Sequence, residues 1–222
     1  MHANPFSSIE FFENPEPRCP CLLLLDVSVS MRGDKIRELN GGLRAFEEEL
    51  KADSLGAKRV EVGVVTFGPV QVVQDFVDAR QFNPPLLDVQ GNTPMGEAIE
   101  KGIALLRQRK NQYRQAGIAY YRPWIFLITD GEPTDDCRAA AQAIADGEAG
   151  KEFLFYAVGV DQANMELLRA LSVRDPLKLK GVAFRQLFSW LSSSLRSVSR
   201  SNPGEAVALE SPVGPKGWAV ID

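Results

Sequence analysis

Histidine is almost missing from this sequence: 222 residues contain one, His2. A lone imidazole at the second position cannot anchor a Ser-His-Asp or Cys-His triad, nor can it lead a His-rich zinc site. Cysteine is scarce too. Cys19, Cys21 and Cys137 are too few for a disulfide framework and suit a reducing cytoplasm. No apolar run approaches the ~20 residues that a membrane span needs. Residues 1–18 lack the basic start and apolar core of a secretory signal. Positive charge is not in excess, because 25 Lys and Arg face 29 Asp and Glu for a formal net charge of −4. That balance excludes an electrostatic footprint for nucleic acid or anionic lipid. Also missing are the phosphate loop Gly-x-x-x-x-Gly-Lys-Ser/Thr, the dinucleotide fingerprint Gly-x-Gly-x-x-Gly and the nucleophile elbow Gly-x-Ser-x-Gly.

What remains reads as a folded domain, with 45% hydrophobic and 24% charged residues. Cys21-Leu-Leu-Leu-Leu-Asp26 is a short, continuous apolar run ending in a carboxylate. Such a run predicts a strand buried on both faces, as parallel sheets require. A polar loop, Val27 to Asp34, leads to Ile36, Leu39, Leu43, Phe46 and Leu50, spaced by three and four along one helical face. Gly41 and Gly42 within that stripe would allow close approach to the sheet. Val60 to Phe67 and Val70 to Phe76, joined across Gly68-Pro69, predict an antiparallel hairpin. Gly91-Asn-Thr-Pro94 opens a second helix carrying Met95, Ile99, Ile103 and Leu106. Trp124 to Asp130 repeats the opening pattern of an apolar run terminated by Asp. A third helix is expected near Asp135 to Ala145, with Thr134 as its N-cap and Asp135 and Asp136 complementing its dipole. Phe153 to Val160 reads as another buried strand, and Phe184 to Val198 as a final amphipathic helix.

Strands alternating with helices predict a doubly wound, Rossmann-like α/β fold: a mostly parallel sheet, one antiparallel edge hairpin, and helices on both faces. The expected organisation is an N-terminal segment over residues 1–18, a domain over 19–200, and a Pro/Gly/Ser tail over 201–222 packed on the surface or mobile.

In open α/β sheets, ligands collect beyond the carboxyl ends of the strands. There the sequence offers Asp26, Ser28 and Ser30 after the first strand, Thr93 before the second helix, and Asp130 after Trp124 to Thr129. All five are oxygen donors. Hard divalent cations take such ligands: Mg²⁺ first, with Mn²⁺ or Ca²⁺ also compatible. Two carboxylates balance one divalent ion and leave it able to accept another anionic oxygen. Each residue also has a simpler local role. Ser28 and Ser30 suit a helix-capping turn, Thr93 before Pro94 suits an N-cap, and Asp130 before Gly131 suits a strand-end turn. Cys19 and Cys21 read as inert buried thiols.

The split pattern Asp-x-Ser-x-Ser, Thr, Asp resembles the metal-ion-dependent adhesion site (MIDAS) of von Willebrand factor A (VWA) domains. Asp26-Val-Ser-Val-Ser-Met31, Gly91-Asn-Thr-Pro-Met-Gly96, Tyr121-Arg-Pro-Trp-Ile-Phe-Leu-Ile-Thr-Asp-Gly131 and Phe188-Ser-Trp-Leu-Ser192 also resemble its bacterial tellurium-resistance TerY-like branch. The resemblance implies that Ser28, Ser30 and Thr93 coordinate the ion, with Asp26 and Asp130 contacting it directly or through water. It implies a non-enzymatic, cytoplasmic protein–protein interaction module that docks an Asp or Glu of a partner. A kinase or phosphatase of a tellurite or stress-response system is the implied partner. The strongest enzyme alternative is a Mg²⁺-dependent haloacid-dehalogenase-like phosphatase. Its Asp-x-Asp pattern needs a carboxylate acid/base where Ser28 stands.

Overall fold

The computed structural model describes residues 11–221; His2 and the rest of residues 1–10 lie outside them. Seven strands form one sheet: β1 (Cys19–Asp26), β2 (Val60–Phe67), β3 (Gln71–Asp78), β4 (Trp124–Thr129), β5 (Leu154–Gly159), β6 (Leu177–Leu179) and β7 (Ala219–Val220). Their spatial order is β3-β2-β1-β4-β5-β6-β7. The five inner strands run parallel, and β3 pairs antiparallel with β2. At the opposite edge β7 pairs antiparallel with β6, a second antiparallel edge beyond the expected hairpin. The tail therefore supplies a strand, and Trp218 and Ala219 are buried in doing so.

The period-two alternation of the strands assigns their side chains to two cores. Cys19, Cys21, Leu23 and Leu25 face one layer, with Trp124, Phe126 and Ile128. There they meet α1 (Asp34–Ala52) and α6 (Phe184–Ser199) through Leu39, Leu43, Phe46, Leu187, Phe188 and Leu191. Leu22, Leu24, Ile125 and Leu127 face the other layer. They pack on α3 (Met95–Ala116), α4 (Arg138–Ala149) and α5 (Met165–Leu171). A single turn, α2 (Gly56–Arg59), precedes β2.

Gly42 corrects one expectation. A Cβ there would lie 2.7 Å from the Phe188 ring and 3.1 Å from Phe184 Cβ, so its missing side chain lets α1 approach α6, not the sheet. The expected third helix also starts later. Thr134 does not cap it; Cys137 occupies the cap position of α4.

Order in the sheet determines where a site can form. Chain connections leave β1 toward β2 on one side, while β4 lies on its other side, so a crevice opens between the loops after β1 and β4. The opposite end of the sheet is closed by buried charge. Glu61 accepts from Arg18 Nε and from Arg109 Nε and Nη2, each at 2.8 Å, and from the Tyr113 hydroxyl.

Candidate metal centre

Asp26, the last residue of β1, is fully buried, and both its oxygens are engaged. Oδ1 accepts the Ser28 amide at 2.8 Å, and Oδ2 accepts the Thr129 hydroxyl at 2.5 Å. Burial pushes its carboxyl up from the ordinary value, against hydrogen bonds from Ser28 and Thr129, and the charge of Asp130 raises it further. After the Asp26–Ser28 bond the chain leaves the strand for a one-turn 3-10 helix, Val29–Met31, with Ser28 at its cap position.

The two serine hydroxyls lie 2.9 Å apart, and Ser30 Oγ donates to Asp130 Oδ1 at 2.6 Å. Thr93 borders the same spot: a Cβ on Gly131 would sit 3.3 Å from Thr93 Oγ1 and 3.5 Å from Ser30 Oγ. Asp26, Ser28, Ser30 and Asp130 are thus joined by hydrogen bonds, directly or one to the next, with Thr93 alongside. Ser30 is exposed, whereas Asp26, Ser28, Thr93 and Asp130 are buried. The cluster opens to solvent through Ser30, beside the half-exposed Val29.

Three neighbours carry roles that the sequence reading did not assign. Thr129 orients Asp26 from the adjacent strand. Lys35, on the first turn of α1, places Nζ 2.5 Å from Asp130 Oδ2 and 3.4 Å from Asp161 Oδ2, and donates to the Ser30 carbonyl at 3.2 Å. Burial pulls its ammonium down, but the two carboxylates outweigh that and raise it. Asp135 was expected to serve its own helix. Instead its carboxylate accepts the amides of Gly96 at 3.1 Å and Glu97 at 2.8 Å, capping α3 from another loop.

That contact also corrects the capping role expected of Thr93. Pro94 holds the cap position of α3, and first-turn amides of the helix go to Asp135. Thr93 is held by its backbone instead: its amide donates to the Thr134 hydroxyl at 3.2 Å, and its carbonyl accepts the Thr134 amide at 2.9 Å. The loop behind it is compact because Gly91 has φ 67°, and a Cβ there would meet the Gly68 carbonyl at 2.4 Å.

The donor set fits a hard divalent cation through hydroxyls. Among the described residues, no three of His, Cys, Asp and Glu group as metal ligands. An ion bound between two carboxylates must therefore take Ser28, Ser30, Thr93 or water as well. Elsewhere, burial pushes the Cys19 thiol up to about 12, with the Glu61 charge adding to it. Cys21 rises as well, chiefly through burial.

Among solved structures, the chain is similar to the vWF domain of the type V pili tip protein Mfa5 from Porphyromonas gingivalis. The TM-score is 0.57 at 10% identity, covering 86% of this chain and 99% of that one. It is also similar to proximal thread matrix protein 1 from the mussel byssus, with TM-score 0.51 and 17% identity, over 83% of this chain and 48% of that one. At such identities the likeness is one of fold. No curated protein matches the chain. The family model for the von Willebrand factor type A domain matches residues 22–185, a span that includes the end of β1 from Leu22 to Asp26, the Thr93 loop and Asp130, and the chain belongs to that family.

Proposed function

We propose that the chain is a metal-dependent protein–protein interaction module whose MIDAS is formed by Asp26, Ser28, Ser30, Thr93 and Asp130. The observation that carries this reading is the convergence of these residues, from three separate segments, on one oxygen-lined spot at the crevice between β1 and β4. When bound, a divalent cation, Mg²⁺ foremost, supplies a Lewis-acidic position for one more anionic oxygen. Ser28, Ser30 and Thr93 are neutral donors, so the two carboxylates balance such an ion without leaving excess negative charge on it. Asp26, with both oxygens engaged by Ser28 and Thr129, holds the serine loop and would contact a bound ion directly or through water. The arriving group is an Asp or Glu of a protein partner. A groove of about 410 Å³ beside the cluster, lined by Gly68, Pro69, Gly91, Asn92 and Pro94, receives the residues flanking that acid.

The motif likeness to the TerY-like branch supports a bacterial cytoplasmic role in tellurite or stress response, with a kinase or phosphatase as partner. Among the described residues no helix is long and apolar enough to cross a membrane. The phosphatase alternative is disfavoured by Ser28: its hydroxyl bonds to Ser30 and cannot replace a carboxylate as acid/base near neutrality.

The test is capture of partners from lysate with and without chelator, beside Asp26→Ala. The expected result is a partner lost under both changes. Partners that persist through both would refute the metal-bridged reading, and hydrolysis of a generic phosphate ester would restore the enzymatic one.

A further inference from the structure

Lys35 stands where a helix disfavours it. It is the second residue of α1, and a cation in the first turn opposes the helix dipole. Even so its side chain is only 23% exposed, and its ammonium is drawn toward two carboxylates. Asp130 Oδ2 lies at 2.5 Å, on a side chain with no exposure. Asp161 Oδ2 lies at 3.4 Å, on the loop after β5, where the backbone takes φ 54° without being glycine. The Ser30 carbonyl completes the shell at 3.2 Å. Lys35 thus joins the loops after β1, β4 and β5.

Resting on the metal-binding reading above, we infer that Lys35 is a resident cation that sets the charge of the metal centre, weakening its hold on the ion and strengthening its hold on an incoming carboxylate. Asp26, Asp130 and Asp161 carry three negative charges, and Lys35 reduces the sum to −2. A divalent cation then brings the loaded site to zero. Without the ammonium the loaded site would keep one negative charge facing the partner's acid, and that acid would be repelled. The same ammonium repels the ion and shares Asp130 with it. Lys35 therefore acts on the two binding events in opposite directions, which a purely structural lysine would not do.

The experiment uses the full chain as wild type, Lys35→Met and Lys35→Arg, each checked for folding by circular dichroism. Mn²⁺ binding is read by electron paramagnetic resonance. Acetate binding to the Mn²⁺-loaded protein is read by the relaxation rate of water protons. Lys35→Met is expected to bind Mn²⁺ about tenfold more tightly, the size that repulsion between an ammonium and a divalent ion a few ångströms away has at solvent-like dielectric. Acetate is expected to bind its loaded form several-fold more weakly, and Lys35→Arg, which keeps the charge, to stay near wild type. If Lys35→Met does not fold, Lys35→Gln carries the same expectations. Wild-type Mn²⁺ binding that the neutral variants leave unchanged or weaken overturns the inference alone, as does a shift of both affinities in one direction. Absence of Mn²⁺ binding in every form overturns the metal reading and the inference together.

Discussion

The Thr129 hydroxyl donates to Asp26 Oδ2 at 2.5 Å, joining the last residues of two adjacent parallel strands. Since the Ser28 amide takes the other oxygen, the carboxylate orientation is determined from both sides. Groups that orient metal ligands in this way typically change affinity by about 10–100-fold when removed. Thr129→Val keeps the shape and deletes the donor. It is expected to weaken Mn²⁺ binding by about tenfold, measured by calorimetric titration, while circular dichroism stays native. Unchanged affinity would show that Asp26 needs no such support.

Asp135 caps α3 from the loop after β4, so it ties the Thr93 segment to the Asp130 segment. Loss of a capping side chain costs about 1 kcal/mol. Asp135→Ala is therefore expected to lower the melting temperature by a few degrees and to weaken Mn²⁺ binding as the Thr93 loop loosens. A melting curve that coincides with wild type would show that Asp135 does not stabilise α3.

At the other end of the sheet, Glu61 lies between the buried guanidinium groups of Arg18 and Arg109. Removing one member of a buried ionic group typically costs about 3–5 kcal/mol, because the remaining charges are left without compensation. Glu61→Gln is expected to destabilise by that amount in urea unfolding. Any folded fraction should retain Mn²⁺ affinity, since the substitution lies at the start of β2, away from the carboxyl ends. A loss below 1 kcal/mol would contradict the role assigned to this charge.

Asp53 supplies a pH dependence. Burial raises its carboxyl, but the hydrogen bond from Arg200, the amides of Gly56 and Leu55 and the Arg200 charge outweigh burial, and the net direction is down from 3.8. A carboxyl lowered by folding stabilises the native state above its unfolded value and loses that contribution as pH falls through the folded value. Arg200 is more than half exposed, so the pair contributes about 0.5–1 kcal/mol. Arg200→Ala should therefore show a lower urea midpoint than wild type between pH 5 and 7, with the two converging as pH falls from 3.8 through the lower folded value. A difference that does not narrow as pH is lowered below 3.8 toward full protonation of the native carboxyl would assign the effect to packing.

The strands and the order of the candidate ligands were legible because both are local patterns. An apolar run ending in Asp marks a buried strand and its carboxyl end together, so the sequence alone sets Asp26 and Asp130 on one rim. The amphipathic stripe from Leu39 to Leu50 likewise marks the face that α1 buries. Short elements were not legible: β6 has three residues and β7 two, too few for any period to register.

By itself, then, the sequence determined the α/β class, the strand ends and the oxygen-bearing residues that follow them, since hydrophobic period and residue chemistry act over neighbouring positions. Tertiary structure alone decided which groups surround those donors. Lys35 reaches Asp130 across 95 residues of chain, Thr129 reaches Asp26 across 103, and Asp135 serves a helix that starts 40 residues before it. Such pairings follow from strand order and from the directions in which loops leave the sheet. They exist only once burial of the two apolar faces has brought β1 and β4 side by side.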